Sequence, residues 1–436
     1  MVRLKSSAAV LAASAVFVAD PVYAAGLSAQ EQKLVQAAAA EEARSLQMLE
    51  TLVNINSGTL NKAGVEEVGR RMQAELTALG FDVRWVPMAK VDRAGHVVAV
   101  HRGAGKGKRM LLIGHLDTVF EPDSPFQKYI RRGDIAEGPG VNDMKGGLVI
   151  MVAALRAMQA AGTLKDADIT IVLTGDEERG GRPFSVSRAD LINAAKVSDL
   201  TLEFEGLAQE NGKDMASIAR RSSTDWTLTI SAKSGHSSGV FNDSVGYGAA
   251  YELARIVDAF REEAREPNAT FNVGYMLAGT TAAANDSDTG GLASGKTNII
   301  PAQAVARGDL RTLSNAQTEG IRAKMRAIVA QPLLGATASI AFDDGYPAMA
   351  PSEASRQLLG RLNEVNRDLG LEPMAELDPL KRGAGDIGFV GDIVPGLIGF
   401  GAAGAGAHAP GETMDIGSLD RQTKRAALFM SRMAQP

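Results

Sequence analysis

Residues 110–119 read Met-Leu-Leu-Ile-Gly-His-Leu-Asp-Thr-Val, so a short apolar run leads into a histidine and an aspartate. The run is too short for a helix and is rich in branched side chains, which predicts a strand buried on both faces. Similar apolar runs stand at 169–174 and 200–204, and an apolar helical stretch stands at 146–161. Strands that alternate with helices predict an α/β fold, with a sheet covered by helices on both faces.

The rest of the chain extends this fold and adds a second domain. Further helices are predicted over 31–52, 64–79 and 352–369, and further strands over 81–86, 97–101 and 396–400. The segment 224–342 reads strand, helix, strand, strand, helix, strand, which is the order of a ferredoxin-like α+β unit inserted into the main domain. Its strands are predicted at 226–231, 271–277, 304–310 and 337–342, and its helices at 246–261 and 317–330.

The composition narrows the classes of function. The chain has 436 residues, of which 45% are hydrophobic and 22% charged, and this suits a globular protein with more than one domain. The formal net charge is -5 and no dense Lys/Arg block occurs, so nucleic acid is not an expected partner. Because the chain has no cysteine, a metal ion would have to use nitrogen and oxygen ligands.

The first 24 residues have the pattern of a signal peptide. Arg3 and Lys5 precede an apolar run at 8–19, and the segment ends in Val-Tyr-Ala at 22–24. A positive start, an apolar stretch shorter than a membrane span and small residues at the exit are typical of export signals. The sequence therefore predicts a periplasmic or secreted protein without membrane contact after cleavage, and an uncleaved membrane anchor is the alternative.

His115 and Asp117 stand at the end of the first strand, on the same side of an extended chain. A metal-bound imidazole usually donates its other nitrogen to a carboxylate, so the pair suits a ligand and its orienting partner. A buried polar pair without metal is the alternative. His96 and His101 lie outside every motif and are interpreted as structural.

The stretch 138–147 reads Gly-Pro-Gly-Val-Asn-Asp-Met-Lys-Gly-Gly and leads into the apolar helix. It places Asp143 at the entrance of that helix, where it is either a ligand or an N-cap residue. The glycines resemble those of a phosphate-binding loop, but the Gly-Lys-Ser/Thr ending of such loops is missing. Nucleotide binding is therefore not favoured.

Further acidic and histidine residues follow the later strands. Glu177 and Glu178 come after the strand at 169–174, Glu205 comes after the strand at 200–204, and His408 stands in a glycine-rich loop near the C-terminus. A solvated acidic turn and an exposed loop histidine are the alternatives for each motif taken alone. Crowded carboxylates are costly unless cations neutralise them, and strand ends meet at one edge of an α/β sheet. The motifs together therefore predict one metal site.

These motifs, in this order, resemble those of the M20 family of di-zinc metallopeptidases, which includes aminoacylases and glutamate carboxypeptidases, and the glutamate carboxypeptidase branch is the most similar. The resemblance covers nearly all of the chain after residue 24. It implies that Asp143 bridges two zinc ions, that His115 and Glu205 complete one site, and that Glu178 and His408 complete the other. It also implies a catalytic domain in two parts, 25–223 and 343–436, with a lid and dimerisation domain at 224–342.

The chemistry of the side chains agrees with these assignments. Histidine nitrogen and carboxylate oxygen suit zinc, with cobalt or manganese as substitutes. A pair of such ions polarises a carbonyl and activates water. Glu177, which the resemblance leaves free of metal, is then the expected general base, and Asp117 is expected to hold His115 in place.

The remaining site residues are implied by further motifs. Gly-His-Ser-Ser at 235–238 resembles the family's lid histidine, so His236 is expected to act on the partner subunit of a homodimer. Thr-Asn-Ile-Ile-Pro at 297–301 implies that Asn298 binds substrate, and Arg311 suits capture of a carboxylate, with a surface salt bridge as the alternative. Residues 382–386 approximate the family's Gly-Gly-Thr-Asp loop, which places Gly385 beside the substrate.

The predicted function is cleavage of an amide bond next to a free C-terminal carboxylate, with release of an amino acid from a small peptide. A deacylase of N-acyl amino acids would use the same metal site and the same base. A solute-binding protein that keeps the fold is a third reading, and Glu177 argues against it because binding alone needs no base.

Overall fold

The computed structural model describes residues 26–285 and 289–436, so the predicted signal peptide lies outside the described residues. A sheet of six strands forms the centre of the main domain. In order across the sheet the strands are Asp82–Pro87, Gly95–His101, Ile169–Thr174, Met110–His115, Leu200–Glu203 and Gly396–Ile398. The last four run parallel to one another, and the first two are antiparallel to their neighbours. The parallel strands therefore end at the same edge.

Helices cover both faces of this sheet, as the sequence predicts. Along Met110–His115, Met110 and Leu112 belong to one hydrophobic core, and Leu111 and Ile113 belong to the core on the other face. The second core is covered mainly by the helix Ala189–Ala195 and by the segment after residue 386. The helices of the first core are Ala29–Ala40, Glu42–Val53, Lys62–Ala78, Gly146–Ala161, Glu353–Asp368 and Gly417–Met433.

The helix Gly146–Ala161 is the centre of the larger core. It packs against the helices Ala29–Ala40 and Gly417–Met433. Together with the preceding turn, as Val141–Ala161, it is long and apolar enough to cross a membrane, but 89% of its apolar window is buried inside the protein. The apolar composition of this helix is thus explained by its position in the core.

The inserted segment folds around a second sheet. Its strands pair antiparallel, with Gln303–Arg311 between Thr224–Ala232 on one side and two short strands on the other, Thr270–Phe271 and Tyr275–Gly279. Ala336–Asp344 pairs with the far side of Thr224–Ala232. The helices Ala249–Glu263 and Asn315–Val329 pack on the sheet around a separate core that includes Trp226, Leu228 and Ile230. This is the ferredoxin-like order that the sequence predicts.

Several elements differ from the sequence predictions. The single helix predicted over 31–52 is two helices that meet at Glu41, and the single strand over 271–277 is broken in two. A hairpin of Thr281–Ala284 and Gly291–Ser294 was not predicted. The helix Gly417–Met433 was also not predicted, because its basic residues conceal how deeply it is buried: Arg425 is 2% exposed and pairs with Asp214 at 2.9 Å.

A buried ion cluster fixes the loop that follows the strand Ile169–Thr174. Arg188 is fully buried and donates to Asp176 Oδ1 at 2.6 Å and to Asp386 Oδ1 at 2.7 Å. Burial opposes the charge of Arg188, but the two aspartates and Tyr346 outweigh it and hold its pKa well above the usual value. Thr174 Oγ1 donates to the other oxygen of Asp386 at 2.5 Å. The cluster therefore joins the loop at 175–181 to the segment at 386–389.

Replacement of Arg188 by methionine should destabilise the protein strongly. It removes the cation of a buried cluster and leaves two buried carboxylates unneutralised, which typically costs about 3–5 kcal/mol. The free energy of unfolding from urea titration measures this. Arg361→Met, at an exposed ion pair with Glu364, is the control and should change stability by less than about 1 kcal/mol. Similar unfolding free energies for the two variants would contradict the assignment.

Candidate metal centre

The carboxyl edge of the main sheet collects the acidic and histidine residues. Met110–His115 lies between Ile169–Thr174 and Leu200–Glu203, and all three strands point the same way. His115 is the last residue of its strand, Glu177 and Glu178 follow the second strand, and Glu205 follows the third. The convergence of these segments therefore follows from parallel pairing alone.

Asp143 lies between two histidines. His115 Nε2 is 3.2 Å from Asp143 Oδ1, and His408 Nε2 is 3.1 Å from Asp143 Oδ2. His408 Nε2 is also 3.1 Å from Glu178 Oε2. The ligand atoms of Asp143, Glu178 and His408 all lie within 4.8 Å of one another, as do those of His115, Glu177 and Glu178. Each oxygen of Asp143 thus faces a different histidine, and Glu178 belongs to both groups of candidate ligands.

The fifth predicted ligand, Glu205, lines a cavity together with Asp143, Glu178 and His408 but pairs with arginine. Glu205 Oε1 accepts from Arg220 Nη1 at 2.7 Å, and its other oxygen contacts Arg220 Nη2. A second arginine, Arg382, has its Nη2 atom 3.6 Å from Glu205 Oε2. Four of the five predicted ligands therefore contact one another directly, whereas Glu205 is neutralised by Arg220 in this structure.

The protonation of the centre reflects crowded charge. Hydrogen bonds to Asp143 and Glu178 raise the pKa of His408 to about 11. Burial, reinforced by the charge of Asp143, raises the pKa of Glu178 to about 7. Burial also raises the pKa of Glu177 well above its usual value, and neighbouring carboxylates add to the shift. The carboxylates therefore need nearby positive charge, which protonated imidazoles or bound cations can supply.

The donor set fits divalent metal ions. Glu178 Oε1 is buried and has no hydrogen-bond partner in the described part of the chain. The cluster offers imidazole nitrogen and carboxylate oxygen and contains no thiolate, which suits zinc and related ions. The side chain of Asp143 makes no helix cap, so the N-cap alternative is wrong.

Asp117 acts on the centre through backbone groups. Its carbonyl oxygen lies 3.0 Å from His115 Nδ1, whereas its carboxylate is 3.4 Å from that nitrogen. The carboxylate accepts the backbone N–H groups of Glu177 and Glu178, at 3.0 and 3.1 Å, and the hydroxyl of Thr59 at 2.5 Å. Asp117 therefore fixes the acidic loop, and its carbonyl orients the imidazole.

Glu412, which no sequence motif singles out, supports the loop of Asp143 in the way that Asp117 supports the acidic loop. Its carboxylate is completely buried and accepts the backbone N–H groups of Gly140 at 3.1 Å, Asn142 at 2.7 Å and Asp143 at 2.9 Å. Because Glu412 lies four residues after His408, it joins the loops that carry two of the candidate ligands. The only sequence signal is an acidic residue near His408.

The cavity above the centre has a volume of about 580 Å³. Arg311 lines it, and Arg311 Nε donates to Asp309 Oδ2 at 2.9 Å. Gly385 is not one of the lining residues, but a Cβ atom there would be 1.3 Å from Arg220 Nη1, so only glycine leaves room for that guanidinium. The described residues that line the cavity are Asp143, Glu177, Glu178, Glu205, Arg220, Ser223, Arg311, Tyr346, Lys381, Arg382, Gly383, Ala384, Ala407 and His408.

His236 and Asn298 lie together on the inserted domain, outside this set of lining residues. The backbone carbonyl of Asn298 accepts the backbone N–H of Ser237 at 2.9 Å, and the backbones of His236 and Ile299 form a single antiparallel β-bridge. His236 Nδ1 is 2.9 Å from the hydroxyl of Ser238. The structure therefore brings these two residues to each other and does not bring them to the cavity.

Comparison with known proteins adds independent information. Carboxypeptidase G2 of Pseudomonas sp. (strain RS-16) is 28% identical over 411 residues, which cover 91% of each chain. Succinyl-diaminopimelate desuccinylase of Leptothrix cholodnii is 25% identical over 397 residues, which cover 86% of this chain and 95% of that protein. The Bacillus subtilis YXEP protein, described as a dinuclear metal binding peptidase from the M20 family, has a TM-score of 0.61 and 16% identity, with 90% and 98% of the two chains covered.

The family itself follows from the sequence match. Residues 111–432 match the model of peptidase family M20/M25/M40, and this range includes every candidate ligand of the centre. The match extends across both parts of the main domain and the inserted unit between them. Because it spans most of the chain, the protein belongs to peptidase family M20/M25/M40 and is a metallopeptidase, as the sequence motifs predict.

Proposed function

We propose that the protein is a two-zinc hydrolase that cleaves an amide bond next to a free carboxylate and releases an amino acid. The observation that carries this proposal is Asp143, whose two oxygens face His115 and His408 beside the half-buried Glu177. In the proposal Asp143 holds both ions, His115 and Glu205 hold one, and Glu178 and His408 hold the other. The dinuclear centre named for the Bacillus subtilis protein supports two ions.

The roles of the other residues follow from their positions. The ions supply Lewis-acid chemistry that polarises the amide carbonyl and activates water. Glu177 accepts a proton from water at its carboxylate and passes it to the leaving amine nitrogen, and burial strengthens Glu177 as a base. Arg311 lines the same cavity as Glu177, so its guanidinium can bind the substrate carboxylate close to the scissile bond.

The lid residues need a second subunit in this proposal. His236 and Asn298 do not line the cavity of their own chain, which supports action on the cavity of a partner in a homodimer joined through the inserted domain. Export to the periplasm or beyond, which rests on residues 1–24, stays a prediction. Cobalt and manganese remain the proposed substitutes for zinc.

A deacylase of N-acyl amino acids is the second candidate. The name of the desuccinylase relative describes removal of a succinyl group, which is an acyl group, and the similarity to that protein favours this candidate. Carboxypeptidase G2, which is similar over more of this chain, favours the first. Both reactions would use the same ions and the same base, and they differ only in the acyl side of the substrate.

A substrate panel on zinc-loaded protein tests the proposal. The panel contains dipeptides, N-acetyl amino acids and the same compounds with the C-terminal carboxylate amidated. We expect hydrolysis only of compounds with a free carboxylate, and loss of activity in EDTA with recovery on added zinc. A preference for acetylated amino acids over every dipeptide would transfer the assignment to the deacylase. Activity that persists in EDTA, or equal hydrolysis of free and amidated substrates, would contradict the proposed site.

Glu177→Gln should keep the metal and lose turnover. The amide cannot accept the proton, so kcat should fall by about 10²- to 10⁴-fold, while the ligand set is unchanged. Glu178→Gln is the matched comparison, since it changes a proposed ligand and should lower the zinc content as well. Zinc content by atomic absorption and kcat on the best substrate of the panel measure both effects. Wild-type turnover in Glu177→Gln would remove Glu177 from its role.

Glu412→Gln should weaken zinc binding without changing any proposed ligand. The neutral amide is a poorer acceptor for the N–H groups of Gly140, Asn142 and Asp143, and such outer groups typically contribute about 10- to 100-fold to metal affinity. Competition with a chromophoric chelator measures the affinity. Glu137→Gln, on the strand Ile135–Glu137 that pairs with Thr413–Asp415, changes a surface ion pair with Arg132; it is the control and should bind zinc as the wild type does. Equal affinities of the two variants would refute this role of Glu412.

A further inference from the structure

The guanidinium of Arg382 has unused donors beside the metal centre. Its Nε and Nη2 atoms are buried and have no hydrogen-bond partner among the described residues. Its ion pair with Glu205 is 3.6 Å long, which is beyond hydrogen-bond distance. Burying a charged donor without an acceptor costs free energy. Arg382 is thus poised to bind an acceptor that the chain itself does not supply.

The other arginines and the lysine on this wall have acceptors, although Nε of Arg220 is also buried without a partner among the described residues. Arg220 donates to Glu205 at 2.7 Å and pairs with Glu203 at 3.1 Å. Arg311 Nε donates to Asp309 at 2.9 Å, and Lys381 Nζ donates to Glu210 at 2.7 Å. Among the described cationic residues that line the cavity, Arg382 therefore differs in having buried donors on both sides of its guanidinium carbon without a partner.

Arg382 also stands where two cavities meet. It lines the cavity that contains Glu177 and Arg311, and it lines a second cavity of about 450 Å³ bounded by residues 206–210 and 404–407. Asp143 and Glu205 line both cavities as well. A substrate whose amide lies at Asp143 therefore has Arg382 within reach of the parts that extend from the amide.

The loop of Arg382 leaves room for a bound group. A Cβ atom added to Gly383 would meet nothing within 4 Å, whereas one added to Gly385 would collide with Arg220. The open side of the loop thus lies next to Arg382. Glu205 is also assigned to an ion in the proposed function, so its charge is shared with that ion and neutralises Arg382 only in part.

We propose that Arg382 makes the site selective for amide substrates that carry a second carboxylate, besides the one assigned to Arg311. This inference rests on the proposed function and specifies its substrate class. A guanidinium binds a carboxylate through two parallel hydrogen bonds. Four carboxylates already line the cavity, so a singly charged group is favoured over a phosphate. The second carboxylate belongs either to the side chain of the released amino acid or to the acyl end.

Two isosteric pairs of substrates test the inference. N-acetyl-glutamate and N-acetyl-glutamine differ only at the side chain, and N-succinyl-leucine and its terminal carboxamide differ only at the acyl end. We expect the zinc-loaded enzyme to prefer the acidic member of one pair by about tenfold or more in kcat/KM, since a charge-assisted pair has at least that effect. The pair that shows the preference identifies the end that Arg382 binds.

The variants separate Arg382 from general effects. Arg382→Gln should bring the ratio of the two kcat/KM values close to one, and Arg382→Lys should retain part of the preference. Arg361→Gln, at an exposed position on the helix Glu353–Asp368, removes the same charge and should leave the ratio unchanged. The two kcat/KM values of each ratio are measured on the same enzyme preparation. A lower fraction of folded or zinc-loaded enzyme therefore lowers both values equally and leaves their ratio unchanged.

The outcomes distinguish this inference from the proposed function. Equal kcat/KM values within both pairs, or a preference that survives in Arg382→Gln, would overturn the role of Arg382 while the hydrolase stands. Hydrolysis of none of the four amides by zinc-loaded wild type would overturn the proposed function, and the inference with it.

Discussion

The site depends on one carboxylate that is shared between two imidazoles. Asp143 has His115 at one oxygen and His408 at the other, and both distances are close to 3 Å. Such a contact requires three segments that are far apart in sequence to meet within a few ångströms. The strand Met110–His115 carries the first to the carboxyl edge of the sheet, the turn before the helix Gly146–Ala161 carries the second, and the loop after Gly396–Ile398 carries the third. Displacement of any one segment would separate the candidate ligands.

Two buried carboxylates hold the loops in place without contributing to the centre directly. Asp117 accepts N–H groups from the loop of Glu177 and Glu178, and Glu412 accepts N–H groups from the loop of Asp143. Each backbone loop is therefore oriented by an anion behind it, and its acidic side chains are left to face the cavity. This arrangement explains how like charges are kept together, since the backbone bonds resist the repulsion between the side chains.

The sequence alone predicted the bounds of those elements that are determined by residues close together in the chain. The strand Ile169–Thr174 and the helix Gly146–Ala161 have the predicted bounds because apolar runs with clear ends determine them. The helix Gly417–Met433 escaped prediction because Arg425 is buried through a long-range pair with Asp214. The contact between Asp143 and His408 was predicted from the order of the sequence motifs. The pairing of Glu205 with Arg220 was not, because it depends on side-chain directions that a sequence motif does not specify. The separation of His236 and Asn298 from the cavity depends on how the inserted domain is placed.

The position of the helix Gly417–Met433 affects the order in which the protein can fold. This helix covers Gly146–Ala161 in the main core, and His408 and Glu412 lie just before it. A nascent chain on the ribosome therefore exposes the part of Gly146–Ala161 that this helix covers until residues 417–433 have been synthesised. The inserted domain has its own core and can fold earlier. Completion of the main domain, and with it assembly of the candidate metal centre, must then wait until translation has passed residue 433.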